Sequence, residues 1–431
     1  MNATPHSVVA GLSCPSATGQ EISLYVHIPF CAARCAYCDF YSNSAVSREV
    51  RETVIHRTLH DIQAALTLFP GVCVPTVYVG GGTPSSLPPD LFLALIEGVS
   101  RLVGGGENPR LTEWSVEMNP DSATEEKIDM CADAGVTRLS VGVQSFSEKS
   151  LAAMGRTVSP SDTRLGLERV LRRWKGAVSV DLIAGVPGQR IEEAVSDAEI
   201  AAGYGVDHVS LYALTVEPGT PLARSLGKEA AGALDSDHAA ACWDSAAEVL
   251  LRRGLTRYEV SSFARPGREC RHNLRYWRGE HYLGVGPGAV STLDAEWMEG
   301  CGLQAGRNAE GMPAGCAKVQ AVRLSMPRSL SAYAARQALF AETKREELDG
   351  RTLLFERIML GLRMQEGVDL SGAPLSGAEK GRLTRFFSRA AGEGFVTMTD
   401  LRVRLTPRGF DVLDTLLVRV LEGPLALPYL D

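Results

Sequence analysis

The sequence predicts an α/β protein whose parallel strands carry the chemistry, followed by a smaller C-terminal helical domain with a wing. Three observations predict it. Short β-type runs recur between residues 22 and 215. Stretches with apolar residues at helical spacing separate most of them. Unusual polar residues fall just after those runs or at their ends.

The runs are ISLYVHI (22–28), TVYVG (76–80), WSVEM (114–118), LSVGVQ (139–144), VSVDLIAG (178–185) and HVSLYAL (208–214). Helical patterns cover 47–68, 89–103, 122–134, 161–174 and 190–203, with Ser122 and Ser161 as N-caps. Strand and helix in repeated alternation mean parallel strands with crossover helices. Six such units form an open doubly wound sheet or part of a barrel, and the pattern does not choose between them. In either arrangement the carboxyl ends of the strands share one edge. The cysteines, GGGTP (80–84), Glu117, Gln144, Asp181 and the Tyr212–Ala213 pair therefore converge on one site.

Beyond residue 215 the pattern changes. A helix rich in Ala and Leu spans 235–253, and a Gly-rich, patternless stretch spans 294–328. The segment 394–409 has the form of a hairpin after a helix. The expected organisation is a flexible polar tail at 1–20, a core at 21–292, an irregular linker or insertion at 293–344, and the helical, winged domain at 345–431.

The net charge of −7 excludes a general affinity for nucleic acid or anionic membrane. The basic cluster Lys380, Arg382, Arg385, Arg389, Arg402, Arg404 and Arg408 is interspersed with acids, as on an ordinary solvated face. No apolar run approaches the roughly 20 residues of a membrane span, and the first 20 residues lack a secretory pattern. Ten cysteines in 431 residues are too few for a disulfide scaffold. Seven are scattered and read as buried free thiols in a reducing, cytoplasmic setting.

The other three, Cys31, Cys35 and Cys38, lie within eight residues, in HIPFCAARCAYCDF. Three thiolates suit an iron–sulfur cluster or zinc. For zinc, His27 would complete a set of four, but paired CxxC units are absent. A loop with this spacing, just after a strand, fits a 4Fe–4S cube with three irons held and one open. GGGTP lacks the Lys-Ser or Lys-Thr pair of a nucleotide loop. Its glycines allow close approach of backbone to a ligand. Glu117, Gln144 and Asp181 are polar residues in apolar strands, and polar groups buried without partners are costly.

The CxxxCxxC spacing resembles the radical S-adenosylmethionine (radical SAM) superfamily. The resemblance implies a partial (β/α)6 barrel and SAM chelated to the open iron. An electron donor to the cluster is implied with them. It also implies that Gly81, Gly82 and Thr83 meet the SAM amino group, and that Phe30, Tyr37 and Phe40 shield the cluster. YVHIPFC, VGGGTPS, VEMNP, GVQSF, the Gly155–Arg156 pair, VDLIAGVPGQ and SLYALTVEPGTP are similar to the coproporphyrinogen oxidase-like group of that superfamily. That similarity implies Tyr25, Gly82, Thr83, Glu117, Gln144, Arg156, Asp181 and Ala213 around SAM.

This group holds porphyrinogen-decarboxylating oxidases and haem chaperones, and related scaffolds carry radical methyltransferases. Asp39 and Phe40 follow Cys38, where the oxidases have a further cysteine. HNLRYW (272–277) resembles the HNxxYW motif of the chaperone branch. The resemblance implies haem as bound cargo, delivered to haem proteins such as those of respiration. His272 would offer nitrogen to the haem iron, and Tyr276 and Trp277 would stack on the macrocycle. Cys270 competes as a ligand. A packed aromatic turn is the alternative reading of these residues. Val290 stands where the group has histidine. The expectation is a monomer or homodimer, with no nucleic acid and at most peripheral membrane contact.

Overall fold

The computed structural model describes residues 20–227, 236–303, 319–373 and 375–425. Six parallel strands form its centre: β1 (Ser23–Ile28), β2 (Thr76–Gly81), β3 (Glu113–Met118), β4 (Arg138–Gln144), β5 (Ala177–Ala184) and β6 (His208–Ala213). They lie side by side in chain order, each in parallel register with the next. Helices such as Arg48–Leu68 and Pro89–Val103 connect them and cover the outer face.

Alternation along each strand decides what faces where. In β1, Leu24, Val26 and Ile28 are buried in the large apolar core under the helices. Tyr25 and His27, of opposite parity, face the inside. The same parity puts Tyr78, Glu117, Arg138, Ser140 and Asp181 on the inner face, where they line a cavity. The sheet is a partial barrel with an apolar outside and a polar inside.

Two helix starts differ from expectation. The caps are Thr124 and Ser159, whose side chains accept from the backbone amides of Lys127 and Asp162. Pro160 at the first helical position fixes the second start. Ser122 is instead held by Ser85 and the Asn119 carbonyl.

The sheet continues past both ends of the six. On one side β8 (Ser262–Ala264) and β7 (Thr256–Arg257) add to β6, antiparallel. On the other, β9 (Tyr282–Val285) pairs parallel with β1. Next come β10 (Val290–Asp294), β11 (Val319–Ser325) and β12 (Lys344–Asp349), all antiparallel. The stretch read from sequence as irregular, 293–344, thus carries sheet on both sides of 304–318, which lie outside the described residues. Strand formation there depends on pairing with a pre-existing edge, which local pattern does not report.

A second apolar core begins at Leu354 and includes Leu383, Phe387, Val403 and Val420. It underlies helices Gly350–Gly361, Gly377–Gly392 and Leu413–Glu422 and a small antiparallel sheet of β13 (Val368–Asp369), β14 (Val396–Thr399) and β15 (Arg402–Leu405). β14 and β15 are the expected wing. This unit meets the barrel through the Gln365 amide, which donates to the Tyr258 carbonyl at 2.9 Å, and through Arg257, which lies 4.5 Å over the Phe410 ring. No helix among the described residues is long and apolar enough to cross a membrane.

Candidate functional site: a thiol-rimmed barrel cavity

The loop after β1 is tied down at several points. The Cys31 amide donates to the Asn43 carbonyl, and the Asn43 amide to the Pro29 carbonyl. Ala36 is held through its amide to Met154 and through its carbonyl from Leu222. Leu151, Met154, Ile183 and Leu222 form a small apolar cluster with Ala36 and Tyr37 packed on it. Gly155, at φ +67°, allows this contact, since a Cβ there would meet Ala36 at 3.1 Å. The loop is held in shape before any metal is considered.

Cys31, Cys35 and Cys38 are each half-buried and unpaired, and all three line the cavity. The Thr83 hydroxyl donates to Cys31 Sγ and Arg156 Nη1 to Cys35 Sγ, both at 3.8 Å. Burial pushes the Cys38 thiol up to about 11, and the Cys31 thiol moves up for the same reason. Among the described residues no three His, Cys, Asp or Glu side chains close on a single metal ion. The thiols instead rim an opening. His27 does not join them: its Nε2 donates to the Tyr41 carbonyl at 2.9 Å, and its Nδ1 accepts from the Tyr25 hydroxyl at 2.9 Å.

The GGGTP turn follows β2. A Cβ on Gly80 would strike the Glu117 carboxyl at 2.6 Å. Gly81 has φ +103°, and a Cβ there would meet the His27 ring at 2.3 Å. A Cβ on Gly82 would meet the Phe30 carbonyl at 2.7 Å. Only glycine lets this turn pass so near the cysteine loop. Glu117 accepts from the Tyr78 hydroxyl (2.9 Å) and the Gly81 amide (3.0 Å). Burial, then the nearby Asp181, pushes its carboxyl up to about 7. Asp181 is raised to about 6, again chiefly by burial. Two carboxyls so destabilised as anions suit a cationic ligand.

Gln144 ends β4 in a left-handed conformation, φ 68°, where the register with β5 slips. Backbone strain of this kind in a non-glycine residue concentrates at ligand sites. Arg156 Nη2 donates to the Gly142 carbonyl at 2.7 Å, while its Nε is buried without a partner. The cavity is about 680 Å³. It is lined by Tyr25, Cys31, Cys35, Cys38, Phe40, Gly81, Gly82, Thr83, Glu117, Gln144, Arg156, Asp181 and Ala213. Phe40 stands at its mouth, 71% exposed, so it screens the rim rather than the interior.

His272 is the exception. It is 1% exposed and is not part of the cavity wall. It belongs to the short helix Arg271–Trp277, which packs under the start of β2. The Thr76 hydroxyl donates to Ser23, so the oxygen of Thr76 accepts from His272 Nδ1 at 2.9 Å. His272 Nε2 then accepts from the Tyr276 hydroxyl at 3.1 Å. Burial lowers its pKa to about 3. Both nitrogens are hydrogen-bonded within the protein, so His272 would have to leave Thr76 or Tyr276 to reach a haem iron. Cys270 is also buried, and its thiol donates to Glu113 at 3.4 Å. Sequence reasoning missed Tyr78, Arg138, Ser140 and Ser210, which line the same cavity. Inward parity in their strands was the available signal. Cys73, Cys131 and Cys242 are buried free thiols as expected and Cys301 is partly buried; Cys14 and Cys316 lie outside the described residues.

A barrel of parallel strands with three loop thiols at its carboxyl edge defines a class, and comparison with known proteins agrees. Residues 25–201 match the radical SAM superfamily, and residues 348–412 match the HemN C-terminal domain. Coproporphyrinogen III oxidase (HemN) from Escherichia coli shares the fold, with a TM-score of 0.72 at 19% identity, covering 93% of this chain and 89% of that one. The chain is a radical SAM protein, and the cofactors of that superfamily are a 4Fe–4S cluster and SAM. Heme chaperone HemW of Mycobacterium tuberculosis is 38% identical over 276 residues, 63% of this chain and 69% of that protein. The mitochondrial radical S-adenosyl methionine domain-containing protein 1 of Bos taurus is 38% identical over 286 residues, 66% of this chain. The aligned part spans 64% of the bovine protein's length. Within the superfamily, the chain belongs to the HemW family.

Proposed function

We propose that this protein binds haem and delivers it to haem proteins, with a 4Fe–4S cluster and SAM seated in the barrel mouth. The observation that carries the cofactor part is the rim of three thiols opening onto a cavity with two buried carboxyls, both raised chiefly by burial. Cys31, Cys35 and Cys38 would hold the cluster, and the Thr83 and Arg156 donors would temper charge on sulfur. When bound, the cluster supplies an electron for reductive cleavage of SAM. Glu117 and the Gly81–Thr83 turn would receive the SAM ammonium, while Arg156, with an orphaned Nε, would face its carboxylate. Tyr25, Gln144, Asp181 and Ala213 would complete the wall, and Phe40 would limit water at the rim.

Haem as cargo is favoured by the family, since the chain is 38% identical to a protein named heme chaperone HemW. Asp39 and Phe40 follow Cys38, where the porphyrinogen-decarboxylating oxidases have a further cysteine. A porphyrinogen decarboxylase and a radical methyltransferase are the alternatives. The unpaired thiols fit a reducing compartment, the cytoplasm. Acceptor haem proteins, an electron donor to the cluster, and a monomeric or homodimeric state belong to the same reading.

The test is an anaerobic haem titration of the cluster-reconstituted protein, read at the Soret band. Saturable binding is expected, with release to an apo-haem protein. In parallel, coproporphyrinogen III, SAM and reductant are incubated with the protein. Decarboxylated product, or methyl transfer from labelled SAM, would return the protein to the enzymes.

A further inference from the structure

The lower half of the cavity has an unexplained cation. Arg138 opens β4 and pairs with Ser115 and Ala177, at the amino edge of the sheet. Gln144, at the cysteine end, is six residues further along, about 20 Å at strand rise. Among the described residues three arginines line the cavity: Arg34, Arg138 and Arg156. Arg34 belongs to the cysteine loop and Arg156 contacts Cys35. Arg138 is the arginine of the floor.

It is 3% exposed, and its Nε is buried without a partner. Nη1 has one long bond, 3.3 Å, to the Arg268 carbonyl. Among the described residues no carboxylate lies within ion-pair distance of it. Glu113 and Asp181 attract it from beyond ion-pair distance, and the oxygens of Glu113 are already hydrogen-bonded. They accept from the Arg271 amide (2.9 Å), the His272 amide (3.0 Å) and Cys270 Sγ. A guanidinium is charged at every accessible pH. Buried without a direct ion pair, it keeps donor capacity that a carboxylate would complete.

We infer that the barrel floor is a receptor for the carboxylate of a small organic acid, bound at the Arg138 guanidinium beneath the SAM position. The guanidinium fork accepts a planar carboxylate through two parallel bonds. Asn273 lines the same floor and offers a neutral amide beside it. Glu117 and Asp181 share the cavity, so a singly charged carboxylate is favoured over doubly charged phosphate. This site is independent of haem, and its test uses none.

The experiment measures the unfolding midpoint of the full-length, cluster-reconstituted, SAM-loaded protein. Acetate and propionate are titrated against chloride and inorganic phosphate at matched ionic strength. The expected result is a saturable rise of about 1–2 °C with the carboxylates, absent with chloride and lost in Arg138→Gln. A rise with phosphate alone overturns the carboxylate assignment. No rise with any anion, or an equal rise in Arg138→Gln, overturns the site and leaves Arg138 a structural residue. If Arg138→Gln does not fold, Asn273→Leu decides, because it fills the floor and keeps the charge. Loss of the carboxylate response in that variant supports the site, and a retained response overturns it.

Discussion

The mouth and the floor of this barrel are both built from polar and aromatic residues, yet they differ in what they leave undone. At the mouth, the thiols of Cys31 and Cys38 and the carboxyls of Glu117 and Asp181 are all raised by burial. Gln144 is held in a strained backbone and Arg156 Nε has no partner. At the floor, the start of helix Arg271–Trp277 and its histidine are hydrogen-bonded, although Arg275 Nε is buried without a partner. Glu113 caps its start, and His272 is bonded at both nitrogens. Arg138 lines the cavity and, like Arg156 at the mouth, has a buried Nε without a partner. Unmet polar valence points to a ligand where it also faces a cavity.

The largest effect that would break this comparison is at the mouth. Cys35→Ser should abolish the cluster, seen as loss of bound iron and of the visible absorption. Full iron retention would remove Cys35 from the ligand set. At the floor, Glu113→Ala should cost about 3 kcal/mol of stability, because two amides lose a charged partner inside the barrel. Urea unfolding measures this, and SAM affinity of the folded fraction should stay within about twofold. A large loss of SAM affinity without loss of stability would mean that mouth and floor are one site.

The carboxyls sharpen the contrast through pH. Glu117 must be ionised to receive an ammonium, and its folded pKa is about 7. SAM affinity should fall about tenfold from pH 8 to pH 6, and Glu117→Gln should flatten that dependence while weakening binding. For the ligand-free protein the sign reverses. The raised pKa means that the folded state holds the proton more tightly. Stability from this group is therefore present below its ordinary value, 4.5, and is lost as pH rises to about 7. Calorimetry across that range checks both slopes. The smallest effect concerns haem. His272→Ala should leave haem affinity within about twofold and cost about 1–3 kcal/mol of stability. A tenfold weaker Soret titration at unchanged stability would reinstate His272 as a ligand.

Most of the mouth was legible in the chain. Its residues sit in short turns directly after strands, so parallel topology alone brings them to one edge. The spacing of Cys31, Cys35 and Cys38 and the glycines of GGGTP carry their chemistry locally. The floor was less legible. Arg138 precedes an apolar strand like many edge arginines, and only its inward parity separates it from them. HNLRYW has the residues of a metal and stacking site. What engages its histidine in the folded protein is Thr76 and Tyr276 on the two nitrogens, one of them nearly 200 positions away in the chain.

The chain by itself determined the six strand–helix units, the edge at which their polar ends meet, and the class of chemistry there. Periodicity and short-range spacing hold that information, because strand direction and turn geometry are local. Tertiary structure alone decided the curvature into a partial barrel, the sheet extension through Val319–Ser325, and which polar groups are left without partners. The physical reason is that burial and hydrogen-bond satisfaction are sums over neighbours from distant segments. No single segment contains them.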